Sequence, residues 1–175
     1  MMEPFETERL LMRPLEAADL DDLFALYRDP RVMKYITGEP RSRSETVAAL
    51  ERHLEDHRKW GYGLCAAIHK ADGKLVGRCG LIPWRFEGPW PAEIAWLFAP
   101  AYWGKGLGTE FGREMLRQAW GPLNLDSLVA RTYTANQGSV NIMHKLGMTL
   151  ASSLPDEVFY EICRPAGDKP RDVSS

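Results

Sequence analysis

Gly104, Gly106 and Gly108 fall within one short segment, Phe98-Ala-Pro-Ala-Tyr-Trp-Gly-Lys-Gly-Leu-Gly-Thr109, between a strand-like run and a helix-like run. Glycine lets the backbone turn tightly and approach a ligand with no Cβ in the way. The N–H groups so exposed, together with those that open the next helix, make an anion site that the helix dipole strengthens. A diphosphate suits such a cradle, held by the backbone of Trp103, Gly104, Lys105, Gly106, Leu107, Gly108 and Thr109. Spacing excludes two other phosphate loops. A P-loop needs GxxxxGK followed by Ser or Thr, and Leu107 follows here. The dinucleotide pattern GxGxxG fails because the third glycine comes one position early. The bland alternative is a strand-to-helix turn that happens to use glycine.

Glu93 is the second residue of chemical interest. It is the only acid in the otherwise apolar run Ala92-Glu-Ile-Ala-Trp-Leu-Phe98. Burial there would raise its pKa toward a value useful to a general base. The competing readings place it in solvent at the strand entrance, or in a pair with an arginine. His53 and His57 stand one helical turn apart, but the metalloprotease order HExxH is absent, so they read as a solvated helix face. No metal site is expected. Cys65, Cys79 and Cys163 form no close CxxC pair and read as small buried hydrophobes.

The elements that must position these residues are legible in outline. Residues 9–13 read as a strand ended by Pro14. Leu20, Leu23, Phe24 and Tyr27 recur at helical spacing, and Ser42 followed by Glu45 signals a capping box before a second helix that Gly61 ends. Residues 62–69 and 74–81 read as strands joined by an Asp72-Gly73 turn. Residues 92–98 read as a central strand, 106–120 as a helix, 127–134 as a strand, 139–146 as a helix stopped by Gly147, and 158–163 as a last strand. A meander followed by β-α-β-α-β predicts a mixed sheet covered by helices.

The chain has 175 residues, 45% of them apolar and 26% charged, which suits one soluble domain over residues 1–165. Residues 166–175 are polar and rich in Pro, Gly and Asp, and are expected to be poorly ordered. A net charge of −2 offers no general attraction to nucleic acid or anionic membrane, so neither is expected as a partner. The start MMEPFETERL has neither a basic leader nor an apolar core, and the expected address is cytoplasmic.

Residues 102–110, Tyr-Trp-Gly-Lys-Gly-Leu-Gly-Thr-Glu, resemble the acetyl-CoA pyrophosphate loop of the GNAT superfamily, whose pattern is (Gln/Arg)-x-x-Gly-x-(Gly/Ala). Gly106 and Gly108 match its two small positions, and Trp103 stands where Gln or Arg is usual. Two further segments are similar to the branch that includes the ribosomal-protein N-terminal acetyltransferases. They are Thr-Glu-Arg-Leu-Leu-Met-Arg-Pro at 7–14, and Asn136-Gln-Gly-Ser139 leading to Lys145-Leu-Gly-Met148.

The resemblance implies an α/β (α+β) fold with a central mixed, mostly antiparallel sheet flanked by helices and splayed central strands. It implies acetyl-CoA as cosubstrate, no metal, and direct attack on the thioester by a primary amine, either a small molecule or a protein N-terminus. It places Asn136 on the pantetheine arm and Ser139 near the thioester, although both residue types are also favoured helix N-caps. Met143 stands where many members carry a tyrosine that protonates the leaving thiolate, which leaves Ser139 or water. An alkyl amine is mostly protonated at neutral pH and must lose a proton to attack. Histone-acetylating members carry their base glutamate in a closely similar Ala-Glu-Ile context, which implies that role for Glu93, whereas in many related enzymes the position only orders water. Backbone N–H groups around Leu97 are implied as an oxyanion hole. Tyr35 and Trp84, in the loops at 31–43 and 84–90, are candidates for acceptor contact, with packing the reading for most aromatics there. The alternative is a non-catalytic CoA-binding regulatory module, motivated by Met143 and Trp103. A monomer and a homodimer are both compatible.

Overall fold

The computed structural model describes residues 2–167; the expected tail lies, from residue 168 onward, outside the described residues. Eight strands form one sheet: β1 (Phe5–Glu6), β2 (Leu10–Pro14), β3 (Leu64–His69), β4 (Lys74–Pro83), β5 (Ala92–Phe98), β6 (Ser127–Tyr133), β7 (Thr149–Ser153) and β8 (Glu157–Cys163). Their order across the sheet is β1-β2-β3-β4-β5-β6-β8-β7. Every neighbouring pair is antiparallel except β5 and β6, which run parallel and pair at Glu93 with Val129. Past that point the two strands diverge, which is the expected splay at the centre of the sheet.

Helices α1 (Leu20–Tyr27), α2 (Pro30–Met33) and α3 (Arg43–Trp60) lie with one face of the sheet, and α4 (Leu107–Trp120) and α5 (Gln137–Lys145) with the other. Leu23, Tyr27, Met33, Leu50 and Leu97 share the first core; Ile94, Phe111, Met115, Leu128 and Met143 share the second. Alternation along β5 thus sends Glu93, Ala95 and Leu97 toward α1 and α3, and Ile94, Trp96 and Phe98 toward α4 and α5.

The local signals explain the boundaries. Ser42 Oγ accepts from the Glu45 amide at 3.3 Å while the Glu45 carboxylate accepts from the Ser42 amide at 2.8 Å, so the capping box forms, and Gly61 closes α3 at φ 74°. Strand β2 ends at Pro14, opposite Cys65, as expected. Three readings need correction. The helix expected from Ser139 begins two residues earlier, because the Asn136 side chain caps it by accepting from the Ser139 amide. His57 is buried against the Gly63 backbone, and its neighbour Asp56 pairs with Arg85, so that face of α3 is not solvated. Cys163 is exposed, while Cys65 and Cys79 are buried and their thiols pushed up to about 12 by desolvation. Strands β1 and β7 and helix α2 went unread because they are short or, for β7, exposed throughout.

Candidate active site

The divergence of β5 and β6 opens a cleft of about 1140 Å³ that runs from the glycine loop, through the gap, to the face carrying α1 and α3. At the loop end, Gly104 and Gly106 adopt φ of 71° and 82°, a left-handed backbone that favours glycine. Gly106 is the N-cap of α4 and supplies no side chain, so the first-turn amides of Leu107, Gly108 and Thr109 have no side-chain cap. A helix end with free amides beside two left-handed glycines fits a diphosphate.

Arg9 holds this loop in place. Its guanidinium donates to the Lys105 carbonyl at 2.8 Å and to the Glu110 carboxylate at 2.7 Å, and Thr7 Oγ1 donates to the same carboxylate at 2.5 Å. Burial of Glu110 works against ionisation, but these bonds outweigh it and hold the carboxyl below its ordinary value. The segment at 7–14 and the glycine loop, far apart in sequence, are therefore one structural unit.

On the α4 and α5 face, Ser139 Oγ accepts from the Trp96 indole at 3.3 Å and from Asn136 Nδ2 at 3.0 Å. Asn136 Nδ2 also donates to Thr132 Oγ1 at 2.9 Å. With both acceptor positions engaged, the Ser139 hydroxyl proton is free to be donated. Met143 is 1% exposed and lines the same cleft, so the tyrosine position offers only a thioether.

On the α1 and α3 face, Glu93 is 9% exposed and its Oε2 accepts from Arg131 Nε at 3.3 Å. Burial pushes its carboxyl above the ordinary value, and the Arg131 and Arg78 charges only partly oppose this. Burial and arginine pairing thus occur together, and the solvent reading is excluded.

The expectation at Leu97 is corrected. The Trp84 amide donates to Pro91 at 3.2 Å and the Ala99 amide to Val76 at 2.7 Å, one at each end of an unbroken β4–β5 register. Antiparallel pairs alternate between bonded and non-bonded, so Leu97 and Arg78 form a bonded pair and the Leu97 amide faces β4. The amides that face the gap are those of Trp96 and Phe98. In keeping with this, the Phe98 carbonyl accepts from the Trp103 indole at 2.7 Å.

Of the other residues singled out, Tyr35, Trp84, Trp103, Gly104, Gly106, Leu107, Gly108, Thr109, Asn136 and Ser139 line the cleft, whereas Lys105 does not. The Lys105 ammonium lies over the Tyr102 ring at 5.4 Å. Tyr35 OH donates to the Ala135 carbonyl at 3.4 Å; Trp84 packs edge-on against Phe86 and Trp90. Arg78, Arg131, Thr132 and Trp96 were not anticipated. Arg78 gave the same signal as Glu93, a charge in an apolar strand. Among the described residues no cluster of His, Cys, Asp and Glu could hold a metal ion, and no helix is long and apolar enough to cross a membrane.

Comparison with known proteins agrees with this geometry. The uncharacterized N-acetyltransferase YnaD of Bacillus subtilis (strain 168) is 26% identical over 163 residues, covering 93% of this chain and 89% of that one. A spermidine N(1)-acetyltransferase of Escherichia coli (strain K12) is 27% identical over 149 residues, 85% of this chain and 77% of that one. The crystal structure of a GNAT-family acetyltransferase from Bacillus anthracis superposes with a TM-score of 0.78 at 25% identity, covering 91% of this chain and 98% of that one. The model of the acetyltransferase (GNAT) domain matches residues 9–149, and the chain accordingly belongs to the GNAT family of acetyltransferases.

Proposed function

We propose that the chain moves the acetyl group of acetyl-CoA to a primary amine, by direct attack of the amine on the thioester. The observation that carries this reading is the gap between β5 and β6, with uncapped helix amides at one end and the buried Glu93 at the other. The backbone of residues 103–109 holds the diphosphate, and Asn136 sits beside the path of the pantetheine arm. The Trp96 and Phe98 amides polarise the thioester oxygen as it gains negative charge.

Donor and acceptor enter from opposite faces of the sheet. Glu93 takes the ammonium proton, directly or through water, and the freed lone pair forms the N–C bond. The tetrahedral intermediate then breaks its C–S bond, and Ser139 or water gives a proton to the departing thiolate and takes the second ammonium proton of the intermediate in its place. The acceptor class at this level is a small amine or a protein N-terminus. Incubation with acetyl-CoA and a panel of amines tests the reading, with thiol release and product mass both measured. Acetyl-CoA binding without thiol release across small amines and N-terminal peptides would overturn it.

A further inference from the structure

We infer that the acceptor is a small amine that also carries a carboxylate, in the manner of an amino acid, and that Arg78 anchors that carboxylate. This deepens the acetyltransferase reading and rests on it. Arg78 stands in the middle of β4, opposite Leu97, so its side chain lies on the face that carries Glu93 and the acceptor end of the cleft. It is 6% exposed. Its Nε donates to Tyr27 OH at 2.9 Å, and the guanidinium stands 5.8 Å from the centre of the Tyr27 ring. Among the described residues no carboxylate makes an ion pair with it.

Glu93 lies within Coulombic reach of Arg78, but its carboxylate bonds to Arg131, so Arg78 has no ion pair of its own. A buried charge left so is costly, and proteins seldom retain one without a use. The surroundings make the cost greater. Arg41 lies over the same Tyr27 ring at 5.1 Å, and His53 Nε2 is 3.4 Å from the Tyr27 hydroxyl. The other arginines lining this end of the cleft are matched, Arg31 by Asp29, Arg85 by Asp56 and Arg131 by Glu93, while Lys34 is exposed and lies over the Tyr35 ring. Arg78 is the buried cation among them without an ion pair.

A planar guanidinium with free terminal nitrogens is complementary to a carboxylate, which it can hold through two parallel hydrogen bonds. An acceptor so anchored supplies the missing negative charge and leaves Glu93 to handle the amine proton. A polyamine could meet Glu157, which also lines the cleft, but would leave Arg78 without an ion pair. A neutral amine or a protein N-terminus would leave it unmatched.

Calorimetry on the full chain saturated with CoA decides the point. The ligands are the L-amino acids singly, each beside its amide and its decarboxylated amine, with spermidine as the polycation. At least one amino acid is expected to bind tenfold or more tightly than its amide and its decarboxylated amine. Arg78→Gln should erase that preference, and Arg78→Lys, which retains the charge and guards against loss of the fold, should weaken it. Equal or tighter binding of spermidine or the decarboxylated amines, no binding by any amino acid, or an unchanged preference in Arg78→Gln would each overturn the inference. Selective binding with no acetylated product in the presence of acetyl-CoA would instead overturn the transferase reading and leave the carboxylate anchor standing.

Discussion

The Arg131 guanidinium reaches from β6 to the Glu93 carboxylate of β5, with Nε 3.3 Å from Oε2, just beyond the point where the two strands cease to pair. The pair ties a buried carboxylate to the mouth of the gap without neutralising the effect of its burial, since the carboxyl remains shifted upward. A carboxylate in that state is a stronger base than an exposed one.

Glu93→Gln is expected to lower kcat by roughly 10²- to 10⁴-fold if the carboxylate takes the proton, while acetyl-CoA affinity stays unchanged because the diphosphate lies at the far end of the cleft. The acid limb of the wild-type pH–rate profile should lie above the ordinary glutamate range. Removing the adjacent positive charge makes the carboxylate harder to ionise, so Arg131→Met should move that limb to higher pH. An unmoved limb in Arg131→Met, or full turnover in Glu93→Gln at neutral pH, would assign the proton to another route.

Gly106 and Gly108 offer a contrast between two reasons for glycine. At Gly106 a Cβ meets nothing closer than an Arg9 nitrogen at 3.5 Å, but φ of 82° strains any other residue by about 1–2 kcal/mol. At Gly108 the backbone is ordinary helix, and a Cβ would lie 2.6 Å from Ile142 Cδ1, so the constraint is the packing of α4 on α5. Gly106→Val should weaken acetyl-CoA binding in calorimetry with a modest loss of stability. Gly108→Val should chiefly lower the melting temperature. Unchanged acetyl-CoA affinity in Gly106→Val would remove the main support for the diphosphate cradle.

The glycine loop and Glu93 were legible because each breaks the composition of its surroundings: three glycines at a strand-to-helix junction, one acid in an apolar strand. Arg78 breaks the apolar run of β4 in the same way and was passed over. Arg131 gave no signal, since β6 alternates and an arginine at an outward position reads as solvent-facing. Its role comes from the register with β5, a long-range fact. Leu97 failed for a related reason. Which of two adjacent amides faces a gap depends on the parity of cross-strand bonding with β4, and parity is fixed by partners that the local sequence does not name. Arg9 and Glu110 likewise meet only through the fold.

Asn136 has two roles that a pair of variants can separate. It caps α5, and its Nδ2 bridges Thr132 and Ser139. Asn136→Ala should cost about 1 kcal/mol of stability through the lost cap, and also raise the Michaelis constant for acetyl-CoA. Asn136→Ser retains a capping oxygen and should recover the stability without the kinetics. Normal cofactor kinetics in both variants would reduce Asn136 to a cap.

His53 should make the fold sensitive to acid. Burial, with Arg78, Arg52 and Arg41 nearby, lowers its pKa to about 3, whereas in the unfolded chain it titrates near 6.5. Between those values the unfolded chain binds the additional proton, so stability falls as pH drops, by at most about 1.4 kcal/mol per pH unit. Chemical denaturation from pH 7 to pH 4 should show this slope, and His53→Gln should flatten it. An unchanged slope in His53→Gln would place the acid sensitivity in other groups.

Ser139 is the last group whose role the geometry makes measurable. Its oxygen accepts from the Trp96 indole and from Asn136, which orients the hydroxyl and leaves its proton for an acceptor in the cleft. Met143 cannot supply a proton, so Ser139→Ala transfers the task to water and should lower kcat by about tenfold, less than a fully developed general acid would give because a thiolate leaves readily. Trp96→Phe removes one of the two orienting donors but keeps the hydroxyl, and a smaller loss is expected. The discriminating measurement is the solvent deuterium isotope effect on kcat, which should fall in Ser139→Ala if the serine proton is in motion during thiolate departure. An equal isotope effect in the variant, with kcat also unchanged, would mean that the thiolate leaves unprotonated and that Ser139 serves only the Asn136 network.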